Sequence, residues 1–257
     1  MKALINNEII DVENIHPDRG YYYGYGVFET IRVIHGKGVF LDNHILRLNN
    51  GLKYLGIPKV LNANEVIIAI DALACYNGVL KINVSEENTV FTTRPMTYSQ
   101  KQYEQGYRLM LSSVRRNPSS HAVGIKSMNY LDNMFELEKA KKHGFNDALF
   151  LNNNEEVCET AVANIFLIEN HKIITPDGSL GLLDGVIRQW VMGTYPVLEE
   201  HISLDRLISS EGVFVTNSVM GIMKVVAIDE VSLNQHKIIQ QITCKYKEVL
   251  DDIGRGL

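Results

Sequence analysis

The chain has 257 residues, 46% of them apolar and 21% charged, the balance of a globular protein with a sizeable core, which excludes the disordered and collagen-like classes. Thirty acidic against twenty-five basic residues leave a net charge of -5, with no basic stripe to neutralise a phosphate backbone, so nucleic acid is not an expected partner. The length permits two domains of ordinary size.

From the N-terminus, short β-branched runs separated by turn residues predict antiparallel strands at Ala3 to Asn6, Val27 to Ile34 and Gly38 to Leu41. Asp42 reads as a helix N-cap. Ile45, Leu48, Leu52 and Leu55 then recur at helical spacing before Gly56-Ile57-Pro58, which predicts an amphipathic helix over Asn43 to Leu55. A second helix is expected from Asn64 to Tyr76, followed by strands at Leu80 to Ser85, Thr89 to Thr93 and Tyr107 to Val114.

The polar, proline-containing stretch 115–122 has the composition of an interdomain linker, separating a small α+β N-terminal domain (1–114) from a larger C-terminal domain (123–257). After it, Leu131, Met134, Phe135 and Leu137 to Ala140 make a helical face ended by Gly144, followed by strands at Ala148 to Leu151 and Asn164 to Ile168. Further helices fit Val186 to Gly193 and Ile238 to Ile253. The last aligns Ile239, Ile242, Tyr246, Val249, Leu250 and Ile253 in a core-facing stripe.

Cys75, Cys158 and Cys244 are widely separated and form no CxxC pair, which suggests reduced core thiols and neither a disulfide framework nor a zinc site. The segment Met1 to Asn7 turns polar before a signal-peptide core could form, and no apolar run approaches the ~18 residues of a membrane span. A cytoplasmic location without membrane contact is expected. The chain has no GxGxxG before a helix and no GxxxxGK[ST], GxSxG or HExxH, and its histidines form no i, i+4 helical pair, so no metal site is expected.

What remains is a series of ordered segments: Asp18-Arg19-Gly20-Tyr21 to Gly24-Tyr25-Gly26-Val27-Phe28-Glu29-Thr30-Ile31-Arg32, His44-Ile45-Leu46-Arg47-Leu48, Lys126-Ser127-Met128-Asn129-Tyr130-Leu131, Glu159 through Asn164-Ile165-Phe166, Leu183-Asp184-Gly185-Val186-Ile187-Arg188 and Thr216-Asn217-Ser218-Val219-Met220-Gly221-Ile222. In this order they resemble the fold-type IV pyridoxal-phosphate enzymes over essentially the whole chain. That family holds branched-chain aminotransferases, D-amino-acid aminotransferases and 4-amino-4-deoxychorismate lyases. The Lys-Ser-x-Asn-Tyr-Leu and Thr-Asn-Ser-x-Met-Gly stretches look most like the lyases.

The resemblance implies a two-domain α+β fold, with pyridoxal 5'-phosphate in the cleft between domains and a homodimer whose partner subunit completes the site. It matches Lys126 to the lysine that bonds the cofactor aldehyde. An amine doing so must shed its proton, which burial beside a cationic ring encourages. An isolated lysine is ordinarily a solvated surface residue; the Asn129-Tyr130 pair after it and an acid downstream give the assignment its weight. Tyr130 is matched to a hydrogen-bond partner of the cofactor's ring oxygen. Glu159 is matched to the carboxylate that keeps the pyridinium nitrogen protonated.

For the phosphate, Arg47 offers a planar fork, the backbone amides of Val186 and Ile187 a helix N-terminus, and Ser218 a hydroxyl. The Val186 and Ile187 side chains themselves fit plain core packing. Phe28 and Thr30 are placed on the substrate side, where simple packing serves Phe28 nearly as well.

The chain departs from the family pattern at Tyr25, where relatives carry Asp, and at Lys224, where they carry Pro. Val84-Ser85-Glu86-Glu87-Asn88 also replaces a strand that ends in an Arg-Gly loop. The activity implied is conversion of 4-amino-4-deoxychorismate to 4-aminobenzoate and pyruvate, a step of folate biosynthesis. An aminotransferase of branched-chain or D-amino acids is the alternative, though Glu86 and Glu87 stand where D-amino-acid enzymes place an arginine. A degenerate cofactor-binding protein is a third reading, motivated by the same departures.

Overall fold

The computed structural model describes residues 2–11 and 16–255. The chain divides into two compact units, one formed by Met1–Thr97, Ile125–Asn129 and Glu248–Leu257, the other by Tyr98–Gly124 and Tyr130–Lys247.

The first unit is built on an antiparallel sheet of β1 (Lys2–Ile5), β2 (Glu8–Asp11), β3 (Val27–Ile34), β4 (Lys37–Gly38), β5 (Gly78–Val84) and β6 (Thr89–Arg94), in the order β2-β1-β6-β5-β3-β4. Its helices are α1 (Arg19–Tyr23), α2 (Leu41–Tyr54) and α3 (Ala63–Ala72). Period-2 alternation sends Val27, Ile31 and Val33 of β3 to one face with Leu80, Ile82 and Phe91, where they meet Leu48 and Leu52 of α2 and Val66 and Ile70 of α3 in one core. Helix and strand approach closely at Gly51, where an added Cβ would lie 2.9 Å from Val27 Cγ1. Phe28, Thr30 and Arg32 occupy the opposite, less buried face of β3.

In the second unit, α4 (Gln100–Gln105), β7 (Tyr107–Arg116), α5 (Leu131–Lys142), β8 (Asp147–Asn152), β9 (Val157–Thr160), β10 (Asn164–Glu169), β11 (Lys172–Pro176), α6 (Val186–Thr194), β12 (Val197–Glu200), α7 (Leu204–Ile208), β13 (Gly212–Asn217), β14 (Gly221–Ile228) and β15 (Val231–Ser232) follow in chain order, and α8 (Lys237–Arg255) ends the described chain. Strands β10, β13, β14, β7, β8 and β9 pair successively. A final pair, Asn164 with Glu159, returns β9 to β10 and closes a six-strand ring. Closure removes sheet edges that would otherwise need cover. The ring is filled by Leu109, Leu149, Ile165, Leu167, Val213, Val215, Met223 and Val225.

Several expectations are corrected. The structural division does not fall at 115–122: β7 belongs to the second unit because it pairs in parallel with both β14 and β8, and Arg115 and Arg116 are the end of that strand, not linker. Strand Gly38 to Leu41 shrinks to Lys37–Gly38, since Leu41 opens α2, whose N-cap is Phe40 at φ 52° in place of Asp42. The buried side of α5 is Asn133, Glu136, Leu137 and Ala140, while Leu131, Met134 and Phe135 are exposed. Polar partners select that side: the Asn133 amide donates to the Ala161 carbonyl at 2.7 Å, and the Ser112 hydroxyl donates to Glu136 at 2.8 Å. Cys75 and Cys158 are buried but Cys244 is exposed, lying off the Ile239, Ile242 and Tyr246 stripe of α8.

Candidate active site

In the first unit, the Lys126 segment is laid along the start of β3. The Phe28 N–H donates to the Lys126 carbonyl and the Met128 N–H to the Gly26 carbonyl, both at 2.9 Å, and Val27 bridges Ser127. A Cβ at Gly26 would lie 2.6 Å from the backbone oxygen of Val84, which cannot move aside as a flexible side chain could, so the strap needs glycine there. The result holds Lys126 Nζ over the Phe28 ring, 4.4 Å from its centroid, a contact between an ammonium and the negative face of an aromatic. Lys126 and Phe28, assigned separately from sequence, are thus brought together.

Arg47 of α2 is committed to Glu29 of β3. Its Nε and Nη2 fork onto the carboxylate at 2.7 and 2.8 Å, and His44 Nδ1 lies 2.7 Å from the same carboxylate. Burial alone would raise the Glu29 pKa, but Arg47 and His44 outweigh it and hold the carboxyl well below the ordinary range. Burial pushes His44 the other way from its usual value, toward the neutral imidazole. With Nδ1–H donated to Glu29, its buried Nε2 has no hydrogen-bond partner. Sequence reading assigned Arg47 to phosphate but missed this Glu29–His44–Arg47 cluster, whose only sequence signal was a histidine one helical turn before Arg47.

In the second unit, Glu159 of β9 sits beside Asn164 at the closure of the ring. The Leu183 N–H donates to its Oε2 at 3.1 Å, the Asn164 amide is 3.5 Å from the same oxygen, and Arg116 Nη2 is 3.5 Å from Oε1. Arg116 stacks on Phe150 at 4.1 Å and its buried Nε lacks a partner. A carboxylate fixed between a cation and a backbone amide suits an ionic hydrogen bond to a ring nitrogen. The Tyr130 hydroxyl donates to the Ala161 carbonyl at 2.9 Å, so its proton points into the protein.

Val186 and Ile187 are the first residues of α6, with buried side chains and no acid or side-chain cap at that terminus. Four amides at a helix start have no intrahelical acceptor, and anions satisfy them. Gly185 makes the approach possible, because a Cβ there would lie 2.0 Å from Asn164 Oδ1. Helix α6 packs on β13, where Thr216 pairs with Asn164 and carries a buried hydroxyl with no partner. Ser218 follows in a half-buried turn in which Asn217 Oδ1 accepts from the Val219 and Met220 amides at 3.0 and 2.7 Å. An uncapped helix start beside an unsatisfied hydroxyl fits a phosphate. Thr216 was missed from sequence because a strand threonine carries no signal of its own.

A further cluster, His171, Glu211 and His236, was not anticipated from spacing. The Ile238 N–H donates to His236 Nδ1 at 3.2 Å, which leaves the proton on Nε2, facing His171 at 3.2 Å. This arrangement caps the start of α8 rather than presenting a lone pair to a metal.

The profile of the amino-transferase class IV family matches residues 26–228. Aminodeoxychorismate lyase of Bacillus subtilis strain 168 is 28% identical over 241 residues, covering 84% of this chain and 81% of its own. D-alanine aminotransferase of Listeria monocytogenes is 26% identical over 263 residues, covering 92% and 91%. Among solved structures, the branched-chain aminotransferase of Thermoproteus uzoniensis superposes with a TM-score of 0.84 at 25% identity, covering 98% of this chain and 95% of that one. The α+β architecture is that of a fold-type IV pyridoxal-phosphate enzyme. The chain belongs to the amino-transferase class IV family and uses pyridoxal phosphate.

Proposed function

We propose that the protein is an aminodeoxychorismate lyase, releasing pyruvate from 4-amino-4-deoxychorismate to leave 4-aminobenzoate. The observation that carries this is the turn after β5. Ser85–Asn88 is closed on Asp18, whose carboxylate accepts from Ser85 Oγ at 2.6 Å and from the Glu87 N–H at 2.9 Å, and Glu86 is ion-paired with Arg19. An amino-acid aminotransferase needs a cation for the substrate α-carboxylate, and this sealed acidic turn supplies none. The likeness to the Bacillus subtilis lyase supports the same reading.

Arg47, the Val186 and Ile187 amides, Thr216 and Ser218 would hold the cofactor's phosphate, and Glu159 its ring nitrogen. Bound there, pyridoxal phosphate supplies an aldehyde for the substrate amine and a cationic ring that withdraws electrons. The chain's own part is modest because aromatisation provides driving force. Lys126 Nζ moves one proton at the substrate carbon, Phe28 keeps water from the amine, and the Glu159 carboxylate holds the proton on the ring nitrogen. Glu29 and His44 keep the Arg47 guanidinium in one orientation.

A homodimer is part of this proposal. It is supported by Leu131, Met134 and Phe135, 78%, 44% and 65% exposed at i, i+3 and i+4 on α5, an apolar face of the kind that partners cover. Light scattering checks it, with a monomer as the contrary result.

The test of the reaction is product analysis with the cofactor-loaded enzyme. Pyruvate and 4-aminobenzoate should form from aminodeoxychorismate well above any amino transfer from D-alanine, L-leucine or L-glutamate to a keto acid. Robust transamination without pyruvate would instead assign an aminotransferase.

A further inference from the structure

We propose that His44 is a further ligand of the cofactor's phosphate: its buried Nε2 takes up one proton when the phosphate arrives and donates it in a hydrogen bond to a phosphate oxygen. The imidazolium then bridges two anions, Glu29 and the phosphate. The inference rests on the reading above that Arg47 holds the phosphate, and it adds a proton to the binding reaction.

His44 and Arg47 stand three residues apart on α2, so their side chains leave the same face of the helix. Both turn to the buried Glu29 of β3. Its Oε1 accepts from Arg47 Nε, while its Oε2 accepts from Arg47 Nη2 and lies 2.7 Å from His44 Nδ1. Because an ionised carboxylate only accepts, Nδ1 carries the hydrogen of the neutral ring and the lone pair falls on Nε2. That atom is sealed from solvent and has no hydrogen-bond partner. A buried polar atom left unpaired costs stability, and a bound group that supplies its partner removes the cost.

The charged groups facing His44 are Glu29 from β3, Arg47 from its own helix and Lys126 from the segment laid along β3. The two cations are those assigned to the two ends of the cofactor, Arg47 to the phosphate and Lys126 to the aldehyde. His44 therefore lies beside the edge of the cofactor that joins those ends. In the free protein, burial outweighs the pull of Glu29, and Arg47 and Lys126 add to it, so the ring is neutral. A phosphate dianion reverses that balance. Its oxygens are all acceptors and cannot satisfy a lone pair, so contact with Nε2 requires a proton between them. Two negative charges offset the field of Arg47 and Lys126, and Glu29 supports the imidazolium from its other nitrogen. The proton comes from solvent, and no bond of the cofactor breaks. Affinity consequently falls as pH rises through the value at which the bound imidazolium releases that proton.

The test uses deoxypyridoxine 5'-phosphate, which has the phosphate but no aldehyde for Lys126, and deoxypyridoxine, which has neither. Calorimetric titration of the full chain freed of cofactor, at about pH 7.5 in buffers of different ionisation heat, counts the protons taken up. Wild type should take up about one more proton per site than His44→Gln on binding the phosphate ligand, and bind it about tenfold or more tightly. The unphosphorylated ligand should show neither difference. In wild-type protein carrying nitrogen-15 histidine, the two ring nitrogens of His44 should pass from the split signals of a neutral ring to the converged signals of an imidazolium when the phosphate ligand is added, a readout that needs no variant. A ring that stays neutral, or equal proton counts in wild type and His44→Gln, overturns the proposal. An equal loss of affinity for both ligands also overturns it, leaving His44 a partner of Glu29 alone. Undiminished binding of the phosphate ligand by Glu29→Gln/Arg47→Ala would instead overturn the assignment of Arg47 on which the proposal rests. Weakened binding by that variant beside a neutral His44 keeps Arg47 at the phosphate and removes only His44.

Discussion

Arg47 is forked onto Glu29, with N–O distances of 2.7 and 2.8 Å, and Glu29 has no exposed surface. The arginine proposed for the phosphate therefore also neutralises a buried acid. Arg47→Ala should cost about 3–5 kcal/mol of stability, because it strands that carboxylate. The double variant Glu29→Gln/Arg47→Ala should regain much of this while still binding pyridoxal phosphate at least about tenfold more weakly than wild type. Urea unfolding and cofactor titration measure the two quantities separately. Recovery of cofactor affinity in the double variant would confine Arg47 to its partnership with Glu29.

Thr216 predicts changes of opposite sign. A buried hydroxyl without a partner costs about 1–3 kcal/mol, so Thr216→Val should leave the cofactor-free protein as stable as wild type or more so. The same variant should hold pyridoxal phosphate more weakly. Thermal unfolding with and without cofactor reads both effects, and an unchanged cofactor-induced shift in Tm would remove Thr216 from the phosphate site.

Lys126→Ala should abolish the borohydride-stable label even though a second lysine, Lys81 of β5, also places its amine over the Phe28 ring, at 5.0 Å against 4.4 Å for Lys126. Glu159→Gln should retain cofactor while slowing turnover by about tenfold or more, because the ring proton loses its anionic partner. A Glu159→Gln enzyme of wild-type rate would make Glu159 a structural partner of Arg116.

Asp147 gives a pH dependence unrelated to catalysis. Burial raises its carboxyl from 3.8 to about 6, against hydrogen bonds from Thr160 and the Ala148 amide that favour the anion. The folded state thus binds a proton that the unfolded state releases between those values. This contribution to stability is complete below pH 3.8 and is lost as pH rises through about 6. Relative to Asp147→Asn, the wild type should lose about 2–3 kcal/mol between pH 4 and pH 7. Urea unfolding of both proteins at the two pH values checks it, and parallel profiles would show that Asp147 does not titrate in this range.

Local order was legible in the residues themselves. The alternation of Val27–Ile34 specified β3 at the observed bounds, Val186 opened α6, and Ile239, Ile242, Tyr246 and Leu250 marked the buried stripe of α8. The ordered segments around Lys126, Glu159 and Arg47 were enough to indicate the family. Periodicity of 2 or 3.6 is a property of neighbours along the chain, so it needs no tertiary information. Only the tertiary structure decided the rest. It placed β7 with the second unit through parallel pairing, and turned Asn133 and Glu136 inward to meet Ala161 and Ser112. It also bound Arg47 and His44 to Glu29. Each of these depends on a partner distant in sequence, and a buried polar group takes whichever side of its element offers that partner, even where apolar spacing points the other way.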